Sequence, residues 1–242
     1  MEKFPKSVSK YSTKIIFEQM DRAFYKIHVK NDIFVFGFFC NIKNENINIP
    51  VFITDKQIVD NISDNTIEIS INNENKKIEL GEIIFKHKSY DIAIIEIKEN
   101  MINQINFLDL EERLYKKKFE LYSNEGSIYI LNHDNDNKNV SVSYGTIDNI
   151  NNSEIIYSCN INSKIEISPI FNLSTKKIIG IHQRLSKFCN KGILLNSIIN
   201  EFIDYYKIKN SKKSRLRDIN PFNEIQILID LKNINLMKKF SF

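Results

Sequence analysis

The chain has 242 residues, 42% of them hydrophobic and 26% charged, with 34 basic against 30 acidic side chains and a formal charge of +4. That profile excludes a disordered or fibrous chain, and a domain of this length buries on the order of 70% of its unfolded surface, so it can hold a core without disulfide or metal staples. Cys40, Cys159 and Cys189 form an odd set with no metal-ligand spacing, which argues against a secreted disulfide scaffold and a zinc module and for reduced structural thiols.

The first ten residues are polar where a signal peptide needs an apolar core, and the longest apolar run, residues 33–40, is far below the roughly 20 residues of a membrane span. A cytoplasmic or otherwise intracellular protein is the expectation. Ile15, Ile16, Met20 and Ala23 recur at three- and four-residue steps, which predicts a short helix over residues 12–23 with Ser12 or Thr13 as its cap. Short apolar or alternating runs follow at residues 24–29, 33–42, 49–54, 67–71, 77–84 and 91–97, divided by Asn, Asp, Ser and Gly clusters; these read as strands. Alternation is strict in residues 67–71 and 140–144, as expected where one sheet face is buried and the other is wet.

Residues 100–118 are polar and charge-rich, without strand periodicity, and a second set of runs lies at 119–122, 127–131, 140–147, 155–159, 168–172, 177–182 and 192–194. Two groups of about six short strands predict an all-β chain built of two antiparallel barrels. Ile198, Ile199, Phe202, Ile203 and Tyr206 form the apolar stripe of a closing helix over residues 195–207. The basic stretch 207–217 reads as a solvated linker rather than as a contact for nucleic acid or membrane. Residues 225–229 read as one further strand that must pair with something. The predicted division is an arm and helix over 1–23, a first barrel over 24–105, a second barrel with its helix over 106–209, and a linker and extension over 210–242.

Three blocks carry a likeness. Residues 48–59 read Asn-Ile-Pro-Val-Phe-Ile-Thr-Asp-Lys-Gln-Ile-Val, residues 90–97 read Tyr-Asp-Ile-Ala-Ile-Ile-Glu-Ile, and residues 159–170 read Cys-Asn-Ile-Asn-Ser-Lys-Ile-Glu-Ile-Ser-Pro-Ile, followed by Ile-Ile-Gly-Ile-His at 178–182. With Gly37-Phe38-Phe39 ahead of them, these blocks resemble the chymotrypsin-like (trypsin-like) serine proteases, in particular their bacterial-type, glutamyl endopeptidase branch. The resemblance covers roughly residues 12–205 and implies a trypsin-like double six-stranded antiparallel β-barrel with short amino- and carboxyl-terminal helices and a site between the barrels.

The same resemblance implies a degenerate site. Gln57 stands at the position of the family's histidine, Asp91 at that of its aspartate and Glu166 at that of its serine; Lys164 and Ile167 replace glycines of the oxyanion turn, and Ile165 replaces the aspartate of zymogen activation. A glutamine amide has no usable proton affinity near neutral pH, so no general base is expected at residue 57. A carboxylate at residue 166 is a poor nucleophile toward an amide and opposes a developing oxyanion. Ser163 and Ser168 flank the lost nucleophile, with strand alternation and the missing base against both.

The commonplace reading of Gln57, Asp91 and Glu166 is a static network in which the amide bridges two carboxylates. A sharper one is a working carboxylate pair, which the intervening Gln57 opposes. His182 matches an imidazole that the resemblance places in a specificity pocket; with Arg184 it would favour a carboxylate, or it is a hydrogen-bonded core histidine. His28, His87 and His133 show no ligand spacing, so no metal and no cofactor are expected. The expected protein is a pseudoprotease that binds a peptide or protein ligand in its cleft by strand addition, with no nucleic-acid and no membrane partner. The alternatives are an active serine-type endopeptidase with a non-standard site and a structural domain of a longer protein.

Overall fold

The structure is a computed structural model that describes residues 5–22, 24–29, 33–45, 47–61, 66–71, 74–116, 126–133, 140–151, 153–161, 167–183 and 190–218. Strands β1 (Phe24–Val29), β2 (Ile33–Asn44), β3 (Ile47–Asp55), β4 (Thr66–Ile71), β5 (Glu74–Lys86) and β6 (Ile92–Ile97) form a closed antiparallel barrel in the order β1-β2-β3-β6-β5-β4. Strands β7 (Ser127–His133), β8 (Val140–Asn151), β9 (Glu154–Cys159), β10 (Pro169–Asn172), β11 (Ile178–His182) and β12 (Asn190–Leu194) form a second, in the order β10-β11-β12-β9-β8-β7. This is the trypsin-like double barrel.

Alternation decides what each barrel encloses. On β4, Ile67 and Ile69 point inward while Glu68 between them is exposed, and they join Phe39, Phe52, Ile78, Leu80 and Ile95 in the first core. The second core gathers Ile128, Ile130, Ile155, Tyr157, Ile170, Ile179 and Leu194. The strands run longer than their apolar runs suggest: β5 spans Glu74–Lys86 because its polar ends still find backbone partners on β4 and β6. The run at 119–122 and the strand at 225–229 lie outside the described residues.

The connector between the barrels, aperiodic in sequence, is ordered by single backbone pairings. Leu108 N–H donates to Phe39 O (2.8 Å), while Ile178 N–H donates to Asp109 O (2.8 Å) and Glu111 N–H to Ile178 O (2.9 Å). Glu111, 6% exposed, accepts from Arg113 Nε (3.2 Å) and Thr175 Oγ1 (2.7 Å), which satisfies a carboxylate that burial would otherwise penalise.

Helix α1 runs Lys10–Arg22, and its cap is Ser9 rather than Ser12 or Thr13: the Ser9 hydroxyl accepts from the Ser12 N–H at 3.2 Å, three residues on, where an N-cap side chain reaches. The second helix, α2, runs Leu195–Asp218, which corrects the linker expected at 207–217. Those positions hold neither Gly nor Pro, and Lys and Arg are good helix formers, so the helix continues past its apolar stripe. Leu195, Ile198, Ile199 and Phe202 are fully buried.

Although α1 precedes the first barrel, Gln19 ties it to the second. Its Nε2 donates to Lys176 O (2.9 Å) and its Oε1 accepts from the hydroxyl of Tyr129 (2.5 Å), a side chain that is 0% exposed. Gln19→Ala would leave the buried phenol without an acceptor, and a lowering of unfolding free energy by about 1–3 kcal/mol, measured by urea denaturation, is expected.

Candidate functional site

Strand β3 ends at Asp55 and turns directly into a 3-10 helix, Lys56–Asn61. The Asp55 carboxylate accepts from the Gln57 N–H at 2.7 Å, a local side-chain turn of the kind Asp favours. Ile58, 2% exposed, drops into the first core and leaves its neighbour Gln57 on the surface. Because β3 pairs with β6 through Asp55–Ile92 and Thr54–Ala93, the residue before β6, Asp91, comes beside Lys56, whose N–H donates to Asp91 O at 3.2 Å.

The Asp91 carboxylate lies 3.3 Å from Lys56 Nζ, with side chains 71% and 34% exposed respectively. An aspartate that orients an imidazole works from a buried position; this one faces solvent and an ammonium. Partial burial, and the nearby charge of Asp91, raise the Asp55 carboxyl above its usual range, against the lowering effect of the Gln57 N–H.

On the second barrel Ser163, Lys164, Ile165, Glu166, Arg184 and Cys189 lie outside the described residues. Their flanks are described. Ile167 has φ 71°, a left-handed conformation that is an outlier for a β-branched residue, and it is 5% exposed. Its N–H donates to His182 O (3.3 Å) while His182 N–H donates to Ser168 O (2.7 Å). Ser168 is 0% exposed and its hydroxyl has no hydrogen-bond partner, so it is neither accessible nor activated.

His182 is 1% exposed, and its Nδ1 is hydrogen-bonded to the hydroxyl of Tyr157, itself 0% exposed. Burial pushes the imidazole down to about 4 and the phenol up. The two side chains come from β11 and β9, with β12 between them. On β12 Gly192 pairs with His182, and a Cβ there would fall 2.8 Å from Ile181 O; only glycine permits that approach.

The other imidazole whose surroundings are described, His87, is 5% exposed. Its Nδ1 accepts from the N–H groups of Ser89 (3.2 Å) and Tyr90 (3.0 Å), which leaves the proton on Nε2, 3.5 Å from Glu201 Oε2. Tyr90 stacks on the ring at 4.8 Å and its hydroxyl meets Ser153 Oγ at 2.9 Å, a bridge from the first barrel to the second. Both described cysteines carry thiols raised by burial, Cys159 to about 12, and so are poor nucleophiles. Among the described residues no group of three His, Cys, Asp or Glu side chains could hold a metal ion.

The structure thus brings Gln57 and Asp91 to one end of the first barrel, and Ser168 and His182 together on the second. Sequence reasoning missed Lys56 as the partner of Asp91, although it adjoins Gln57. It also missed Tyr157. Alternation of Ile155, Tyr157 and Cys159 points that ring inward, but only the strand order reveals that it meets His182.

No protein-family model and no curated protein matches the sequence. Solved structures do. Deg5 aligns over 81% of this chain and 95% of its own, with a TM-score of 0.54 and 11% identity. A Glu endopeptidase solved in complex with MPD aligns over 78% of this chain and 91% of its own, with a TM-score of 0.54 and 14% identity. At those identities the likeness establishes the chymotrypsin-like fold.

The buried imidazole makes stability depend on pH. Its folded value, about 4, lies below the ordinary 6.5, so the unfolded chain takes up the proton first as pH falls. Stability is complete above about pH 6.5 and declines toward pH 4, by on the order of 3 kcal/mol. Urea midpoints measured across that window should fall for the wild type, and His182→Gln should flatten the component that this group contributes.

Proposed function

We propose that the protein is a pseudoprotease, a non-catalytic trypsin-like double barrel whose inter-barrel cleft binds an extended peptide. The observation that carries this reading is the arrangement around Asp91. Its carboxylate is paired with Lys56, the adjoining residue 57 is a glutamine, and the imidazoles of His87 and His182 are held by Tyr90, Ser89 and Tyr157. Proton transfer from an attacking hydroxyl needs a base within hydrogen-bond reach of it, and an amide cannot serve.

Peptide capture asks for less. An extended chain can be held by backbone N–H and C=O groups alone, with side-chain pockets adding selectivity. The burial of His182 against Tyr157 supports a cleft that does not read its ligand through that imidazole. Peptides with an acidic residue at the central position should therefore bind within about threefold of their neutral counterparts, since no charge-assisted hydrogen bond to His182 is available.

The test pairs cleavage with binding. A diverse peptide library incubated with the wild type and followed by mass spectrometry should show no products above buffer, and Asp91→Ala should not change that result. Surface-immobilised protein should retain a subset of the same peptides and lose them when bulky residues are placed at Gln57. Cleavage by the wild type that disappears in Asp91→Ala would show an active site built differently; absence of any cleft-dependent retention would remove the binding role.

A further inference from the structure

The absence of a nucleic-acid partner was expected because residues 207–217 read as a solvated linker. They are helical instead, within α2, which is continuous from Leu195 to Asp218. Six of the chain's 34 basic residues, Lys207, Lys209, Lys212, Lys213, Arg215 and Arg217, fall in these eleven positions, and none of its 30 acidic ones; without them the net charge of +4 would become −2. The whole positive excess of the protein is therefore concentrated along about 16 Å of helix axis.

Its distribution around the helix narrows the kind of partner. At about 100° per residue, positions 207 and 215 fall on one flank, and positions 209, 213 and 217 on the opposite one. Between the flanks lie Ile208, which is 56% exposed, and Leu216, with Lys212 placed between them. Tyr205 on the same side lies under the Lys209 ammonium, 5.4 Å from ring centroid to Nζ. Two aliphatic positions with a lysine position between them are too few for the apolar face that holds a helix in a bilayer interface.

Basic positions on both flanks of the helix instead match a partner that presents anions on both sides of it. The major groove of B-form DNA is about 12 Å wide, admits one α-helix and is bordered by a row of phosphates on each side. The A-form groove of double-stranded RNA is too deep and narrow for that placement. We propose that the carboxyl half of α2 binds double-stranded DNA, in the groove and through the phosphate backbone. Contacts of this kind neutralise charge without reading sequence.

The experiment uses the whole 242-residue chain and a fluorescein-labelled duplex of mixed sequence, about 20 base pairs long, in anisotropy titrations between 50 and 200 mM salt. The expected result is micromolar binding at the lower salt, with log K falling against log salt at a slope of about −4 to −5. A variant with Lys209, Lys212, Lys213, Arg215 and Arg217 all changed to Gln should bind at least tenfold more weakly, with a shallower slope. Circular dichroism verifies that the variant keeps its helix, and Lys209→Arg with Lys212→Arg and Lys213→Arg should retain binding. No binding at 50 mM salt, or equal binding by the Gln variant, overturns the proposal. So does a preference for vesicles containing anionic phospholipid over the duplex in a parallel sedimentation arm.

Discussion

Closure of the two sheets is the constraint on which the other features rest. An open six-stranded sheet would leave two rows of unpaired backbone groups at its edges. Here β4 closes onto β1 through Lys26–Ser70, Ile27–Ile69 and His28–Glu68, and β7 closes onto β10 through Ile130–Ile170, Tyr129–Phe171 and Asn172–Ile128. Once the registers are set, strand ends have no freedom left. The end of β3 and the start of β6 must lie side by side, which places Asp55, Lys56 and Asp91 together. The start of β10 and the end of β11 must likewise meet, which places Ser168 against His182.

The polar bonding around Asp91 and His182 differs chiefly in burial. The Lys56–Asp91 pair is largely open to solvent, where such a pair contributes about 0–1 kcal/mol and salt weakens it. The His182–Tyr157 pair is closed off from water, where an unsatisfied partner would cost about 1–3 kcal/mol. The interaction with the larger energetic consequence therefore lies inside the second barrel, between two side chains that satisfy each other and expose nothing to a ligand. The Asp91 carboxylate holds the lighter bond.

How much could be read in advance depended on whether the information was local. The alternation of Ile67, Glu68 and Ile69 is a period-two signal, and it located β4 and its inward face. The stripe of Ile198, Ile199 and Phe202 located the start of α2. Residues 207–217 carry no apolar face to mark them as helical, yet good helix formers without Gly or Pro continue a helix already begun. Leu108 and Leu110 each make a single bridge, too short for any periodicity. Tyr157 and His182 are 25 positions apart and meet only because β12 lies between their strands, a fact of register that no local pattern carries. The blocks around Gln57 and Asp91 could be placed from sequence, but the solvent-facing carboxylate depends on how far the turn after β3 buries its side chains.

Ile167 shows how a closed barrel can hold a turn that sterics disfavour. Its φ of 71° costs a β-branched residue of order 1–3 kcal/mol, and glycine would avoid that strain. Yet the backbone on either side is held by His182, which accepts from the N–H of Ile167 and donates to the carbonyl of Ser168. The side chain itself is 5% exposed, and burying an isoleucine contributes about 1.5–3 kcal/mol. The two terms are of the same size, so the bulky residue is tolerated in a conformation that sterics disfavour. The left-handed turn is then imposed by the β10–β11 ladder of the closed barrel. Isoleucine can occupy it because the ladder holds the backbone on either side.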